Sequence, residues 1–111
     1  MKVSLSNIEI NNEIKKAVLS VLDSKKFILG EHTQKFEENF AKLSGVKYAA
    51  CVNSGTAALF LTLKSLGIKK NDEVILPSLS YVATSTPVSM LNAKPKFVDV
   101  NEKNYTIDVD A

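Results

Sequence analysis

Residues 48–59 read Tyr48-Ala49-Ala50-Cys51-Val52-Asn53-Ser54-Gly55-Thr56-Ala57-Ala58-Leu59. An apolar run breaks at small polar residues and resumes as a helical pattern. The expectation is a strand over 46–52, covered on both faces, that turns into a helix from about Thr56 to Leu66, ended by Gly67. A helix that starts this way leaves backbone N–H groups free at its positive dipole end, where an anion is favoured. Gly55 has no Cβ, so a phosphate can approach the chain there. Ser54 and Thr56 add hydroxyl donors. The turn therefore suggests a phosphorylated cofactor or substrate; an ordinary strand-to-helix turn with a serine cap is the plainer reading of the same residues.

Working outward, Asn11 or Asn12 is expected to cap a first helix, in which Ile14, Ala17, Val18, Val21 and Leu22 recur at helical spacing up to Ser24. The segment 27–30 reads as a loop or short strand. A second helix is expected from near Thr33, with Phe36, Phe40 and Leu43 on one stripe and Gly45 just past its end. Downstream, 69–72 is a polar turn, 73–76 a strand stopped by Pro77, and 78–81 a loop at that strand's carboxyl end. A helical pattern over 82–91 contains Pro87, which fits a first turn or a kink, and Asn92 closes it. A third strand is expected over 96–100, and Asp108 is a candidate cap for a further helix. Strands and helices alternate, which argues for an α/β layered fold with a mostly parallel sheet.

The 111 residues carry 14 lysines, no arginine and 12 acidic residues, for a net charge of +2. Charges of both signs are interleaved, so there is no basic patch for nucleic acid. Without arginine, an anion site here must use backbone amides, hydroxyls or lysine. The lone Cys51 gives no disulfide or cysteine zinc site, and its apolar neighbours predict a buried, inert thiol. The single His32 rules out a multi-histidine metal site within these residues and reads as an exposed or capping residue at a helix start. No run approaches the ~20 apolar residues of a membrane helix. Met1-Lys2-Val3-Ser4-Leu5 lacks the apolar core of a signal peptide. A cytoplasmic protein that avoids membranes is expected. Glu37, Glu38 and the lysine pairs at 15–16, 25–26 and 69–70 read as solvated faces, and Asp99 as a hydrogen-bonding residue at a strand end. Three strands and a nearly all-apolar helix are too few to cover one another, which predicts the N-terminal part of a longer polypeptide or a domain that needs a partner.

Several segments together carry a family resemblance: 27–30, Phe36-Glu37-Glu38-Asn39-Phe40, 45–49, Asn53-Ser54-Gly55-Thr56-Ala57-Ala58-Leu59, 72–75, Pro77-Ser78-Leu79-Ser80-Tyr81-Val82-Ala83-Thr84, 95–100 and Thr106-Ile107-Asp108. In order and spacing the series resembles the DegT/DnrJ/StrS family. These are pyridoxal-phosphate enzymes of the aspartate-aminotransferase fold, mostly nucleotide-sugar aminotransferases and in a minority dehydratases. The resemblance implies the first, incomplete part of the fold type I large domain, with residues 1–30 as an N-terminal helix and substrate-side loop and 31–111 as the first part of the cofactor-binding domain. It implies that Ser54, Gly55, Thr56 and Ala57 cradle the cofactor phosphate, that Tyr81 stacks on the cofactor ring, and that Lys26, Phe27 and Ile28 approach the nucleotide sugar. It also implies a homodimer, a nucleotide-linked keto-sugar substrate and an amino donor such as glutamate. None of the 14 lysines matches the family's Schiff-base motif, so these residues alone are expected to be inactive. A non-catalytic remnant or interaction module, a sugar dehydratase, and an unrelated phosphate-binding α/β domain are the other readings.

Overall fold

The computed structural model describes residues 6–110. The N-terminal residues 1–5, read above for a signal peptide, and Ala111 lie outside them. The chain divides into two compact units, Met1–Cys51 and Val52–Ala111. The boundary expected after residue 30 divides the chain by role, substrate side from cofactor side, whereas this one follows packing.

The first unit holds two helices. Helix α1, Asn12–Ser24, starts at Asn11, whose side chain accepts the Ile14 amide at 2.9 Å. It ends where Lys25 turns left-handed at φ 55°. Helix α2, Glu31–Ser44, begins two residues earlier than Thr33, because Gly30 caps it through backbone alone: its carbonyl accepts the amides of Thr33 and Gln34. Gly45, at φ 68°, closes α2 and returns its amide to Ala41 and Lys42, the left-handed role a side chain resists. Phe36 and Phe40, one turn apart, stack with ring centroids 5.8 Å apart.

The strand expected over 46–52 is not formed. A strand exists by passing its amides and carbonyls to a neighbour, and no ladder partner pairs with these residues among those described. Val46 and Tyr48 are exposed, and so is Cys51, against the expected burial of its thiol.

In the second unit, helix α3 spans Gly55–Ser65, and Gly67 follows at φ 83°. Strand β1, Glu73–Pro77, pairs in parallel with β2, Lys94–Val98, in the register Glu73↔Lys94 to Pro77↔Val98. Across the ladder, Lys96 Nζ lies 3.3 Å from Glu73 Oε1. Strand β2 starts and stops two residues earlier than expected, and Val100 instead forms an isolated antiparallel bridge with Ile107. The crossover is not one continuous helix. A 3₁₀ turn, Val82–Thr84, gives way at Ser85 to a short helix α4, Thr86–Met90, with Pro87 in its first turn, where the missing amide costs nothing. Asn92, left-handed at φ 56°, closes the crossover. Val88, fully buried, centres the core with Leu76 and Ala93, and Leu63 of α3, Ile68, Val74 and Leu91 pack around them. Asp108 Oδ1 accepts the Asp110 amide at 3.1 Å, and no helix follows within the described residues.

Candidate functional site

Helix α3 fixes the site because its start is held by its own sequence. Ser54 is extended (φ −163°, ψ 159°), and its Oγ accepts the Ala57 amide at 3.1 Å. The Ser54 carbonyl takes the Ala58 amide at 3.0 Å. Of the first four helical amides, those of Gly55 and Thr56 have no acceptor among the described residues, and neither has the Thr56 hydroxyl. Beyond its chain neighbours and its own helix backbone, a Cβ built on Gly55 would meet nothing within 4 Å, so that side of the turn is open. The serine hydroxyl keeps its proton for a further acceptor while its oxygen serves as cap. The four expected phosphate-binding residues thus divide. Gly55 and Thr56 present free backbone donors, Ser54 shapes the turn, and Ala57 spends its amide on Ser54.

This donor set fits a phosphate dianion. Two N–H groups at a helix N-terminus and a free hydroxyl give three donors for the three non-ester oxygens of a phosphate ester, and the glycine leaves room for it. Each charge-assisted hydrogen bond contributes about 1.5–3 kcal/mol, against about 0.3–1 kcal/mol for an exposed helix dipole. The amides therefore outweigh the dipole.

Tyr81 precedes the 3₁₀ turn, and its carbonyl accepts the Thr84 amide at 2.9 Å. Ser80 and Thr84 hydroxyls pair at 2.7 Å across the same turn. That turn and α4 both pack on α3. Tyr81 is 78 % exposed and so available to stack on a planar ligand. No hydrogen bond joins Tyr81 to residues 54–57 among those described. Lys26, Phe27 and Ile28 belong to the first unit, where residues 25–30 line a shallow depression of about 380 Å³. Phe27 and Ile28 are both exposed. Asp99, just beyond β2, accepts the Val100 amide at 2.8 Å, the strand-end role expected of it.

One residue escaped the sequence reading. Glu38 is exposed as expected, but Glu37 is half-buried and its Oε1 accepts the Cys51 amide at 2.7 Å. No sequence periodicity marks a partner 14 residues away. At the start of α2, Lys35 pairs with Glu31 one turn back, and mainly this ammonium, with smaller help from His32 and Lys26, holds the Glu31 carboxyl below its ordinary range. His32 is exposed in the same first turn.

Residues 8–111 match the model of the DegT/DnrJ/EryC1/StrS aminotransferase family. The chain belongs to this family. It is 42% identical over 103 residues to a GDP-4-keto-6-deoxy-D-mannose 3-dehydratase of Escherichia coli O55:H7, covering 86% of this chain and 26% of that protein. It is 36% identical to a UDP-2-acetamido-2-deoxy-3-oxo-D-glucuronate aminotransferase of Pseudomonas aeruginosa, covering 89% and 28%. Among solved structures, the E. coli GDP-4-keto-6-deoxy-D-mannose-3-dehydratase with bound hydrated PLP superposes with a TM-score of 0.88 at 37% identity, over 96% of this chain and 29% of that one. The fold is therefore that of the first part of a fold type I domain, and the chain spans between a quarter and a third of the length of these relatives.

Proposed function

We propose that these residues form the phosphate-holding part of a pyridoxal-phosphate enzyme that aminates a nucleotide-linked keto-sugar with an amino donor such as glutamate. The observation that carries this reading is the pair of acceptor-free amides at Gly55 and Thr56. When bound, pyridoxal phosphate supplies an electron-accepting ring through which an amino group passes between donor and keto-sugar. The chain's own residues then have distinct tasks. Gly55 N–H, Thr56 N–H and the Thr56 hydroxyl hold the phosphate oxygens. Ser54 keeps the helix start rigid, so these donors are already aimed before binding. Tyr81 lies against the face of the ring, where an electron-rich aromatic suits an electron-poor one. Lys26, Phe27 and Ile28 meet the nucleotide-sugar side: Lys26 offers a cation to the diphosphate, and Phe27 and Ile28 an apolar surface. The complete enzyme is proposed to be a cytoplasmic homodimer. The 111 residues by themselves are proposed to be inactive.

A dehydratase reading stands beside this one, because a 3-dehydratase is matched at 42% identity. Both readings need the same cofactor and a nucleotide-linked keto-sugar. They part at product analysis: both consume the amino donor, but amination leaves its nitrogen on the sugar, while the dehydratase reaction, in which a C–OH becomes C–H at the expense of the donor's two electrons, yields a deoxy keto-sugar and releases the nitrogen as ammonia. The shared cofactor reading is tested by Gly55→Pro. Gly55 is the first residue of α3 and Ser54 before it is extended, so both sites accept proline geometry while the amide is removed. In the full-length enzyme the affinity for pyridoxal phosphate should fall about tenfold. Unchanged affinity would remove the basis of the proposal.

A further inference from the structure

We propose that Glu37 is a positioning residue for the phosphate-binding turn, an inference that rests on the assignment of that turn at residues 54–57. Residues 46–52 have no strand ladder to hold them. The Val46 amide returns to the Ala41 carbonyl at 3.0 Å, and beyond it the backbone is held at Cys51, whose amide donates to Glu37 Oε1 at 2.7 Å. Ser6 aside, every other bond between a side chain and the backbone among the described residues spans four residues or fewer, as in the capping bonds of Asn11 and Ser54. The Glu37 bond spans 14. It is a charge-assisted bond at the short end of the usual range.

The base from which Glu37 reaches is firm. Helix α2 is closed by Gly45, buries Ala41 and stacks Phe36 on Phe40. From Cys51 only Val52 and Asn53 intervene before Ser54. The carboxylate therefore does for this segment what a neighbouring strand does elsewhere: it takes a backbone amide and fixes the chain just before the turn. With Glu37 removed, the Cys51 amide turns to water and the entry into residues 54–57 loosens. Ser54 still caps α3, so the free amides keep their place on the helix, but residues 51–53 leading into the turn must be re-ordered when a ligand binds, and that cost falls on phosphate binding. Glu37 touches no ligand in this account; it acts through the backbone.

The test uses the full-length enzyme in cofactor-free form, titrated with pyridoxal phosphate and separately with pyridoxal, which lacks the phosphate. Glu37→Ala should weaken pyridoxal phosphate about tenfold and leave pyridoxal within about twofold. Glu37→Gln retains an oxygen acceptor without its charge, so its loss should be only about threefold. Glu38→Ala, on the exposed neighbour, should match the parent protein. Equal affinity of Glu37→Ala and the parent for pyridoxal phosphate overturns the proposal. So does an equal loss for both ligands, which marks a general loss of structure. Should Glu37→Ala fail to fold, Glu37→Gln decides by the same comparison of the two ligands. Gly55→Pro separates the two levels. If it leaves pyridoxal phosphate binding intact, the turn assignment falls and this inference with it. If it weakens binding while neither Glu37 variant does, only the role of Glu37 falls.

Discussion

Ser54 Oγ accepts the amide of Ala57 at 3.1 Å, and this one bond helps divide the first amides of α3 into those with an acceptor in the turn and those without one. Ala57 and Ala58 are satisfied within the turn, while Gly55 and Thr56 are not. Aspartate caps helices as well as serine does, so Ser54→Asp should fold with an unchanged or slightly raised melting temperature. Its carboxylate would, however, stand beside the proposed phosphate. Two like charges about 4 Å apart near a protein surface repel by about 4 kcal/mol. Affinity for pyridoxal phosphate should therefore drop more than tenfold, with the loss smaller at high salt. Isothermal titration of the full-length enzyme at two ionic strengths measures both.

Gly55→Ala asks a different question of the same turn. Beyond its chain neighbours and its own helix backbone, the added methyl meets nothing within 4 Å, and the position is helical, so folding should be unaffected or slightly favoured. A phosphate drawn close to the Gly55 amide would be crowded by that methyl. Weaker cofactor binding at an unchanged melting temperature is the expected pattern, read from cofactor titration and a thermal scan of the same samples.

Tyr81 is 78 % exposed and heads the 3₁₀ turn, so truncating it should cost little stability. Its proposed contribution is to the bound ring, where stacking adds about 0.5–1.5 kcal/mol. Tyr81→Ala should weaken pyridoxal phosphate and pyridoxal alike by about three- to tenfold, and Tyr81→Phe should keep most of the affinity. An affinity loss in Tyr81→Phe equal to that in Tyr81→Ala would assign the effect to the hydroxyl and not to the ring face.

What the sequence made legible follows from how local each signal is. Asn11, Gly45, Ser54 and Gly67 mark helix ends by interactions within four residues, and each stands where its chemistry predicts. The parallel pair β1 and β2 is legible from two apolar runs separated by a crossover, although β2 begins two residues before the expected Lys96 and takes in Pro95. In a two-stranded sheet both strands are edges, where proline is tolerated. The segment 46–52 misled because an apolar run states what a strand would bury and not which neighbour takes its hydrogen bonds. Pro87 split one expected helix into a 3₁₀ turn and α4, a boundary that packing around buried Val88 decides. The unpaired amides at the start of α3 were legible as backbone chemistry, whereas the Glu37 bond was not, since its partner lies beyond any helical or strand period.

The Glu31–Lys35 pair gives a pH signature at the first turn of α2. The lysine lowers the Glu31 pKa chiefly through their hydrogen bond and charge attraction. A depressed carboxyl contributes stability above its unfolded pKa and loses it as pH falls through the folded value. Lys35→Ala should move the Glu31 titration upward toward the ordinary glutamate range, followed by NMR of its side-chain carboxyl carbon. Solvent exposure of both side chains means that melting temperature at neutral pH should barely change.

Val88 tests whether the second unit is held from its centre. It is 0 % exposed and packs with Leu76 and Ala93, while Leu63 from α3 and Leu91 close over them. Val88→Ala removes two methyl-sized groups from a site that cannot collapse onto solvent, so transfer and cavity terms add to about 1.5–3 kcal/mol. Leu79→Ala, at a residue 61 % exposed in the loop after β1, removes more apolar volume and should cost less than about 0.5 kcal/mol. Urea unfolding of the two variants in the full-length enzyme, with and without cofactor, orders them. Because the 3₁₀ turn and α4 pack on α3, loss at Val88 should also loosen cofactor binding, whereas Leu79→Ala should leave it unchanged. Equal costs for the two substitutions would mean that the centre of this unit lies elsewhere than at Val88.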